Sequence, residues 1–336
     1  MKRLIYILSL ALSFNTYAEI MTGDKCGDNC TWTFDTETGK LTVSGTGEMY
    51  DLHWSYNNNL ERYQTGAPWK NYDWDITQVE IKNGITSIGA DAFYNLANLE
   101  NVSIADSVTK MGGGCFQGDR NLISLDLPKN LEVLNGLANT SIKNLVVPES
   151  VTSFDPYSVG SEQLEKLIIE SDINFEKNVF WRGGSREIPT TLTSVYCTHS
   201  NESCQTLTDD TQLSSKMIFF NKEDGVYQLT DKNGSPIADS YYISATDMVS
   251  GADKTCGTDL NVCKAKVLEN KGICDSTACM ALVEAANNGQ LLKVASKTYQ
   301  SLNALLKGDY DKRRIYTIEE ANFVAGDKNR VSITYK

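Results

Sequence analysis

Apolar residues recur through the middle of the chain with a spacing that repeats itself. The first copy runs Ile76-x-x-Val79-x-Ile81, and Ile85, Ile88-Gly89 and Ala92-Phe93 follow it. Further copies start at Leu99, Leu122, Ile142 and Leu164, and a degenerate copy starts at Leu192. The starts lie 23, 23, 20, 22 and 28 residues apart. This pattern predicts a stack of repeats, because one copy alone cannot bury its apolar face.

Within each copy, alternating apolar and polar residues predict one short strand. The apolar side chains point into the stack, and the residues between them point to the outer face of the sheet. The central outer-face residues are Glu80, Ser103, Asp126, Val146, Ile168 and Tyr196. The flanking ones are Gln78, Asn101, Ser124, Asn144, Lys166 and Ser194. The predicted outer face therefore begins polar and acidic and becomes apolar over its second half.

The segments on either side of the repeats have other patterns. Residues 19–75 alternate in short Thr- and Gly-rich runs, which predict a β-rich cap that seals the first repeat. Its many Tyr and Trp residues either fill the core of the cap or stack on sugar rings, and exposure is most expected in HWSYNNNLERY, residues 53–63. Residues 205–336 predict an α+β domain. It contains a hairpin turn at Asn233-Gly234, helices over 260–270 and 277–288, and a short helix from Thr317 to Gly326.

The first 18 residues have the three parts of a secretory signal. Lys2 and Arg3 precede an apolar run from Leu4 to Phe14, and a small-residue site ends at Ala18. We expect cleavage after Ala18 and a secreted, cell-surface or periplasmic protein. The apolar run is too short to span a bilayer, and the sequence predicts no transmembrane segment elsewhere.

The chain is acidic, with a formal net charge of −12, and loss of Lys2 and Arg3 with the signal takes it to −14. A negative field repels nucleic acid and anionic lipid alike. We therefore expect neither as a partner.

Nine cysteines in an exported chain predict disulfides and one free thiol. Eight of them form short-range couples, and these are Cys26 with Cys30, Cys197 with Cys204, Cys256 with Cys263, and Cys274 with Cys279. Zinc binding is the alternative, although ligand sets of the CxxC type are absent. No metal site or cofactor is predicted.

Cys115 is the cysteine without a neighbour, and it lies in the glycine-rich stretch MGGGCFQG. One repeat earlier its place is taken by Ala92, so we expect a buried free thiol that acts as a small apolar side chain. Gly113 and Gly114 stand where Ala90 and Asp91 stand, and we expect them to loosen the turn.

The segment ITSIGADAFYNLANLENVSIADSVTKMGGGCFQG, residues 85–118, resembles the BspA-type leucine-rich repeats of bacterial and some protozoan surface and secreted proteins. The step Pro148-Glu-Ser-Val-Thr152 is similar to the family pattern, and residues 26–51 are similar to the β-rich cap before such arrays. The resemblance covers about residues 24–200, and the Ile-Gly-x-x-Ala-Phe element is lost after Leu131. It implies a leucine-rich repeat solenoid over residues 76–204, with a strand in each repeat and a mostly non-helical convex side. It also implies export and binding or adhesion, and it implies no chemistry.

Candidate catalytic chemistry is sparse. The two histidines, His53 and His199, lie outside the copy that holds Cys115, and no phosphate-binding, dinucleotide or zinc-protease motif occurs. Carboxylate-only hydrolysis stays open, because it depends on spatial pairing that a sequence does not reveal. We therefore expect a non-catalytic protein that binds a protein or glycan partner, with an extracytoplasmic hydrolase or an envelope structural protein as alternatives.

The partner is expected on the outer face of the strands. Its apolar half, Val146, Ile168 and Tyr196, either meets a partner or packs against the C-terminal domain. In the second case Glu80, Ser103 and Asp126 form the free surface.

Overall fold

The structure is a computed structural model that describes residues 19–59, 61–154, 161–173, 181–182, 185–186, 188–198, 200–250, 255–294, 297–308, 322–323 and 330–332. The predicted signal peptide, residues 1–18, lies outside the described residues, as does His199. None of the helices in these ranges is long and apolar enough to cross a membrane.

Five strands precede the first repeat. They are β1 (Ile20–Gly23), β2 (Asn29–Asp35), β3 (Lys40–Glu48), β4 (Ser55–Asn57) and β5 (Arg62–Gln64). Strands β1, β2 and β3 pair in antiparallel order, and β4 and β5 form a separate hairpin. Alternation in the sequence decides what is buried, since Trp32 and Phe34 of β2 face the core while Thr31 and Thr33 are exposed. A short 3-10 helix, Lys70–Tyr72, leads into the first repeat.

The repeats contribute two sets of short strands. In chain order these are β6 (Gln78–Ile81), β7 (Ile85–Ile88), β8 (Asn101–Ile104), β9 (Lys110–Met111), β10 (Val133–Leu134), β11 (Asn144–Val147), β12 (Ser153–Phe154), β13 (Lys166–Ile169), β14 (Trp181–Arg182), β15 (Ser185–Arg186) and β16 (Ser194–Thr198). Strands β6, β8, β11, β13 and β16 are those predicted from the alternation. Strands β7, β9, β10 and β12 form a second parallel row that continues from β3. The small β14–β15 hairpin lies apart from both rows.

The predicted strand of the third copy does not form, and this divides the first row into two sheets. Residues 122–128 carry no strand assignment, although Leu122 and Leu125 are buried. In the second copy the residue after the strand, Ala105, donates its N–H to Ile81 of the strand before. Proline has no N–H to donate, and Pro128 and Pro148 occupy the corresponding positions of the third and fourth copies. The sheet therefore stops after β8 and starts again at β11.

The core of the repeats combines strand and turn residues. Val79 and Ile81 point inward from β6, and Ala92 and Phe93 are buried in the turn that follows β7. Aromatic rings stack from copy to copy, with Trp69 on Phe93 at 5.4 Å and Phe93 on Phe116 at 5.1 Å between ring centroids. The periodic sequence thus produces a periodic core.

Gly114 meets a backbone requirement of the turn, which corrects the expectation that it loosens the turn. No such requirement applies to Gly113. Gly114 has φ +66°, and Asp91, one copy earlier, has φ +56°. The turn therefore needs a left-handed residue at this position, which glycine adopts without steric cost. Gly112 is needed for close approach, because a Cβ there would lie 2.6 Å from the backbone nitrogen of Ala90.

The C-terminal region combines strands with short helices. Its strands are β17 (Met217–Glu223), β18 (Val226–Thr230), β19 (Pro236–Tyr242), β20 (Thr255–Gly257), β21 (Leu291–Val294), β22 (Lys297–Tyr299), β23 (Asn322–Phe323) and β24 (Arg330–Ser332). Its helices are α1 (Glu202–Leu207), α2 (Ala245–Ser250), α3 (Leu260–Asn270), α4 (Ser276–Asn287) and α5 (Leu302–Leu306), and a 3-10 helix spans Ser214–Lys216. Asp259 and Asp275 cap α3 and α4 with their side chains, as expected of helix starts.

Most of the predicted C-terminal elements agree with the structure. Helices α3 and α4 match the two predicted helices, and Asn233-Gly234 lies in the turn between β18 and β19. The predicted helix from Thr317 to Gly326 falls largely outside the described residues. Its end is wrong, because Asn322–Phe323 form β23 and pair with β24.

A single sheet links the last repeats to the C-terminal region. Its strand order is β11-β13-β16-β17-β18-β19-β20, and β16 pairs in parallel with β17. The domain limit predicted between residues 204 and 205 thus falls between two hydrogen-bonded neighbours. A second sheet, β22-β21-β24-β23, lies beyond it.

Candidate functional site

The free outer face of the first sheet lies on β2, β3, β6 and β8. The strand register puts eight polar residues in two rows: Thr33, Thr42, Glu80 and Ser103 in one, Asp35, Lys40, Gln78 and Asn101 in the other. All eight are exposed or half-buried. We call these eight residues the polar face.

Glu80 lies at the centre of the polar face between two lysines. Lys40 Nζ lies 2.7 Å from Glu80 Oε2, and Lys82 Nζ donates to Oε1. Hydrogen bonds from Lys40 and then Lys82 lower the pKa of the Glu80 carboxyl. The carboxylate is therefore ionised at neutral pH and held in one orientation by the two lysines.

Asp126 belongs to the surface without belonging to these rows. Asp126 and Ser124 are exposed, but their segment lacks strand pairing to β8. Ile123 beside them is 57 % exposed. Of the three polar residues predicted to form one surface, the structure thus brings Glu80 and Ser103 side by side. Asp126 lies beyond the last paired strand.

The apolar half of the predicted outer face is covered by the chain itself. Ile168 is 1 % and Tyr196 7 % exposed, and both join a buried cluster with Phe220, Tyr227 and Met248. Val146 is half-buried against the same cluster. The sequence left two alternatives for these residues, contact with a partner or packing against the C-terminal domain. In the structure they pack against C-terminal elements. Ile168 and Tyr196 therefore present no free surface to a partner, and Val146 presents little.

Charged groups hold the C-terminal hairpin of β17 and β18 on the repeats. Lys222 Nζ of β17 lies 2.6 Å from Glu170 Oε2 and 3.5 Å from Glu149 Oε2. The hydroxyl of Tyr227 donates to the other oxygen of Glu170, and burial together with the Glu170 charge raises the pKa of Tyr227. Lys307 adds a pair to Glu149 at 2.6 Å. This network borders the apolar cluster and holds the β17–β18 hairpin over Ile168 and Tyr196.

Cys115 is a free, fully buried thiol. Burial raises the pKa of the Cys115 thiol, and the nearby Asp119 carboxyl raises it further. Its Sγ lies 3.7 Å from the carbonyl oxygen of Asn135. A protonated thiol without access to solvent is not a nucleophile.

The other eight cysteines form four disulfides in the structure, with the pairing expected from the sequence. The bonds join Cys26 with Cys30, Cys197 with Cys204, Cys256 with Cys263, and Cys274 with Cys279. The second cysteine of each couple is buried and lies in a regular element: Cys30 in β2, Cys204 in α1, Cys263 in α3 and Cys279 in α4. Partners are at most seven residues apart in sequence, so each bond ties a strand or helix to the turn or strand just before it.

The bonded cysteines hold these short elements in place and leave no thiolate for a metal. Among the described residues no group of three or more His, Cys, Asp or Glu side chains is arranged to hold a metal ion.

Sequence reasoning missed the part of the polar face that the cap supplies. Lys40 and Thr42 lie opposite Gln78 and Glu80, although the cap was predicted only to seal the first repeat. The signal was present in the alternation of Thr and Ser with apolar residues along β2 and β3. The alternation does not reveal that β3 pairs with β6, and this pairing extends the repeat sheet into the cap.

Comparison with known families agrees with this geometry. The family model for the BspA type leucine rich repeat region matches residues 70–185 in six copies. Residues 70–185, about a third of the chain, are therefore similar to BspA-type leucine-rich repeats. The matched repeats end before Leu192, yet the degenerate copy there still forms β16 in register with β13.

Four solved structures similar to this chain are leucine-rich repeat proteins of bacteria. One from Eubacterium ventriosum is 19 % identical, over 63 % of this chain and 49 % of its own, with a TM-score of 0.45. A leucine rich cell surface protein from Faecalibacterium prausnitzii is 19 % identical, over 66 % of this chain and 60 % of its own, with a TM-score of 0.27. The chain thus spans about half the length of the E. ventriosum protein. A search of curated proteins found no match.

Proposed function

We propose that this protein is a non-catalytic, exported binding protein whose repeats present the polar face to a protein or glycan partner. One observation carries the proposal: the chain covers the apolar half of its outer strand face and leaves the polar half open. A rigid sheet with aligned hydroxyl, amide and carboxylate groups offers many hydrogen bonds at little entropic cost. Export is supported by the signal-like N-terminus and by the four disulfides.

Binding is favoured over catalysis by the state of the reactive groups. The Cys115 thiol is buried and protonated, and the Glu80 carboxyl has a lowered pKa, which makes it a poor general acid or base at neutral pH. Glu80 is instead suited to a fixed hydrogen-bond acceptor. Asp126 adds a second exposed carboxylate at the end of the face.

The test compares two triple variants of the whole chain on printed arrays of extracellular proteins and glycans. The first, Glu80→Gln with Ser103→Ala and Asp126→Asn, alters the predicted contact residues. We expect it to weaken the main array interaction about tenfold, as the loss of roughly 1.4 kcal/mol of contact free energy does. Circular dichroism should show unchanged folding, because all three side chains are at the surface.

The matched control removes the same charges elsewhere. It combines Thr86→Ala, Glu132→Gln and Glu202→Gln, which are exposed residues away from the polar face. We expect it to bind like the unaltered protein. Equal binding by both triple variants would refute the role of the polar face.

A further inference from the structure

The hairpin of β4 and β5 displays aromatic side chains on its outward side. Tyr56 lies opposite Tyr63 in the hairpin, and Trp54 precedes it. The rings of Tyr56, Tyr63 and Trp54 are 49 %, 48 % and 49 % exposed, respectively. We call Trp54, Tyr56, Tyr63 and Tyr94 the aromatic platform, since Tyr94 of the first repeat turn completes the group.

The rings of the platform hold one another in place. Tyr63 makes edge contacts with Trp54 at 4.9 Å and with Tyr56 at 5.0 Å between centroids. Trp54 stacks on Tyr94 at 6.2 Å. The side-chain amide of Asn95 donates to the backbone carbonyl of Tyr63, which ties the hairpin to the repeat. Rings fixed in this way lose little conformational freedom when a ligand binds.

The inward side of the same hairpin is polar. This reverses the usual arrangement, in which a hairpin buries its apolar side chains and exposes its polar ones. Arg62 Nη2 lies 2.7 Å from both oxygens of Asp73, and Gln64 is only 4 % exposed. Within the described part of the chain, Arg62 Nε and Nη1 are buried without a hydrogen-bond partner. The hairpin thus buries a guanidinium and an amide, while Tyr56, Tyr63 and the preceding Trp54 are exposed.

This arrangement sacrifices stability. Burying a large apolar side chain stabilises a fold by about 1.5–3 kcal/mol, and a buried ion pair adds little net stability. A local sequence that breaks these rules is a sign of a functional surface. The exposed aromatic side therefore marks a candidate binding surface.

Polar groups lie at the edge of the platform. Asp91 Oδ2 accepts from the backbone N–H of Trp54 at 3.4 Å and lies 3.8 Å from Nδ1 of His53. The His53 side chain is 78 % exposed. Together with the phenol groups of Tyr56 and Tyr63, His53 offers hydrogen bonds beside the flat ring surfaces.

We infer that the aromatic platform is a second binding site and that its ligand is a neutral oligosaccharide. A pyranose ring has a flat face of C–H groups that stacks on an aromatic ring, and a rim of hydroxyls that meets polar groups at the edge. The acidic net charge disfavours polyanionic glycans. The site lies on the first repeat turn and is separate from the polar face, so it does not depend on the proposed function of that face.

The size of the platform favours a sugar over a protein. An aromatic side chain buries about 150–250 Å² when covered, so three half-exposed rings offer about 300 Å². A stable protein interface needs about 800 Å² on each partner. One or two sugar rings match the smaller area.

The experiment applies the whole chain to a printed array of neutral and acidic glycans and titrates the strongest neutral ligand by calorimetry. We expect Trp54→Ala and Tyr63→Ala each to weaken binding about tenfold, and Trp54→Phe to keep most of it, since a ring remains. Trp74→Ala is the matched control, because Trp74 is 52 % exposed but stacks with Arg62 outside the platform.

Two results would overturn the inference. The first is that Trp54→Ala binds every neutral glycan on the array as strongly as Trp74→Ala does. The other is capture of basic peptides alone, which would make the platform a cation site. The triple variant of the polar face distinguishes the two sites: its glycan binding at the platform should equal that of the unaltered protein.

Discussion

Asp119 is a fully buried carboxylic acid in the turn of the second copy. Its Oδ1 accepts the backbone N–H of Leu96, one repeat back, at 2.8 Å. Its Oδ2 has no hydrogen-bond partner in the described structure. Burial raises the pKa of Asp119 well above its usual value of 3.8, so the folded protein keeps the neutral acid to a higher pH than the unfolded chain does.

We expect Asp119 to make the protein less stable as pH rises. In the unfolded chain this carboxyl loses its proton near pH 3.8, whereas the folded protein keeps it to a higher pH. Between the two pKa values the folded state binds more protons, so the free energy of unfolding falls with increasing pH. Urea unfolding measures this effect. Above about pH 4 the free energy of unfolding of Asp119→Asn should depend less on pH than that of the unaltered protein. At neutral pH the variant should be at least as stable as the unaltered protein.

The control is Asp119→Ala, which leaves the N–H of Leu96 without an acceptor. We expect it to be about 1–3 kcal/mol less stable than Asp119→Asn at every pH and to share the weaker pH dependence of that variant. A pH dependence in Asp119→Asn as steep as in the unaltered protein would contradict the assignment.

Among the elements, β8 and β13 carry residues at the same repeat position with opposite environments. Ser103 of β8 is exposed, whereas Ile168 of β13 is covered by α2 and the β17–β18 hairpin. We expect Ile168→Ala to lose about 2–4 kcal/mol of unfolding free energy, because it leaves a cavity between repeat and cover. Ser103→Ala should change it by less than about 0.5 kcal/mol. Chemical denaturation measures the unfolding free energy of both variants. Equal losses would show that α2 and the β17–β18 hairpin do not pack on Ile168 as described.

At the scale of the whole molecule, the repeats and the C-terminal region share one sheet. A chain that ends at residue 204 would lose β17, which pairs with β16, and would expose Ile168 and Tyr196. An open strand edge beside an apolar surface promotes association. We expect this fragment to self-associate in size-exclusion chromatography and to bind a hydrophobic dye, unlike the full chain. A monomeric fragment that binds no dye would show that the cap and repeats, up to residue 204, fold without the C-terminal region.

Local signals explain which predictions succeeded. The spacing of Ile, Leu and Val between Ile76 and Leu192 predicted a strand in every copy, and the structure has that strand in every copy except the third. The prediction works because alternation is a property of neighbouring residues. The helices predicted over 260–270 and 277–288 correspond to Leu260–Asn270 and Ser276–Asn287, because a helical pattern is also local. The polar face was only half predicted, because Lys40 and Thr42 join it through pairing with a strand far along the chain.

The sequence by itself determined the repeats, the places of the cysteine couples and the burial of Cys115, because each depends on spacing within one or two copies. Tertiary structure decided which outer residues stay free. Lys166 bonds to the carbonyl of Val249, 83 residues away, and that contact lies beside the cover over Ile168 and Tyr196. The outward turn of the aromatic hairpin likewise depends on Asp73 drawing Arg62 inward. Contacts between distant segments leave no periodic trace, so only the folded chain reveals them.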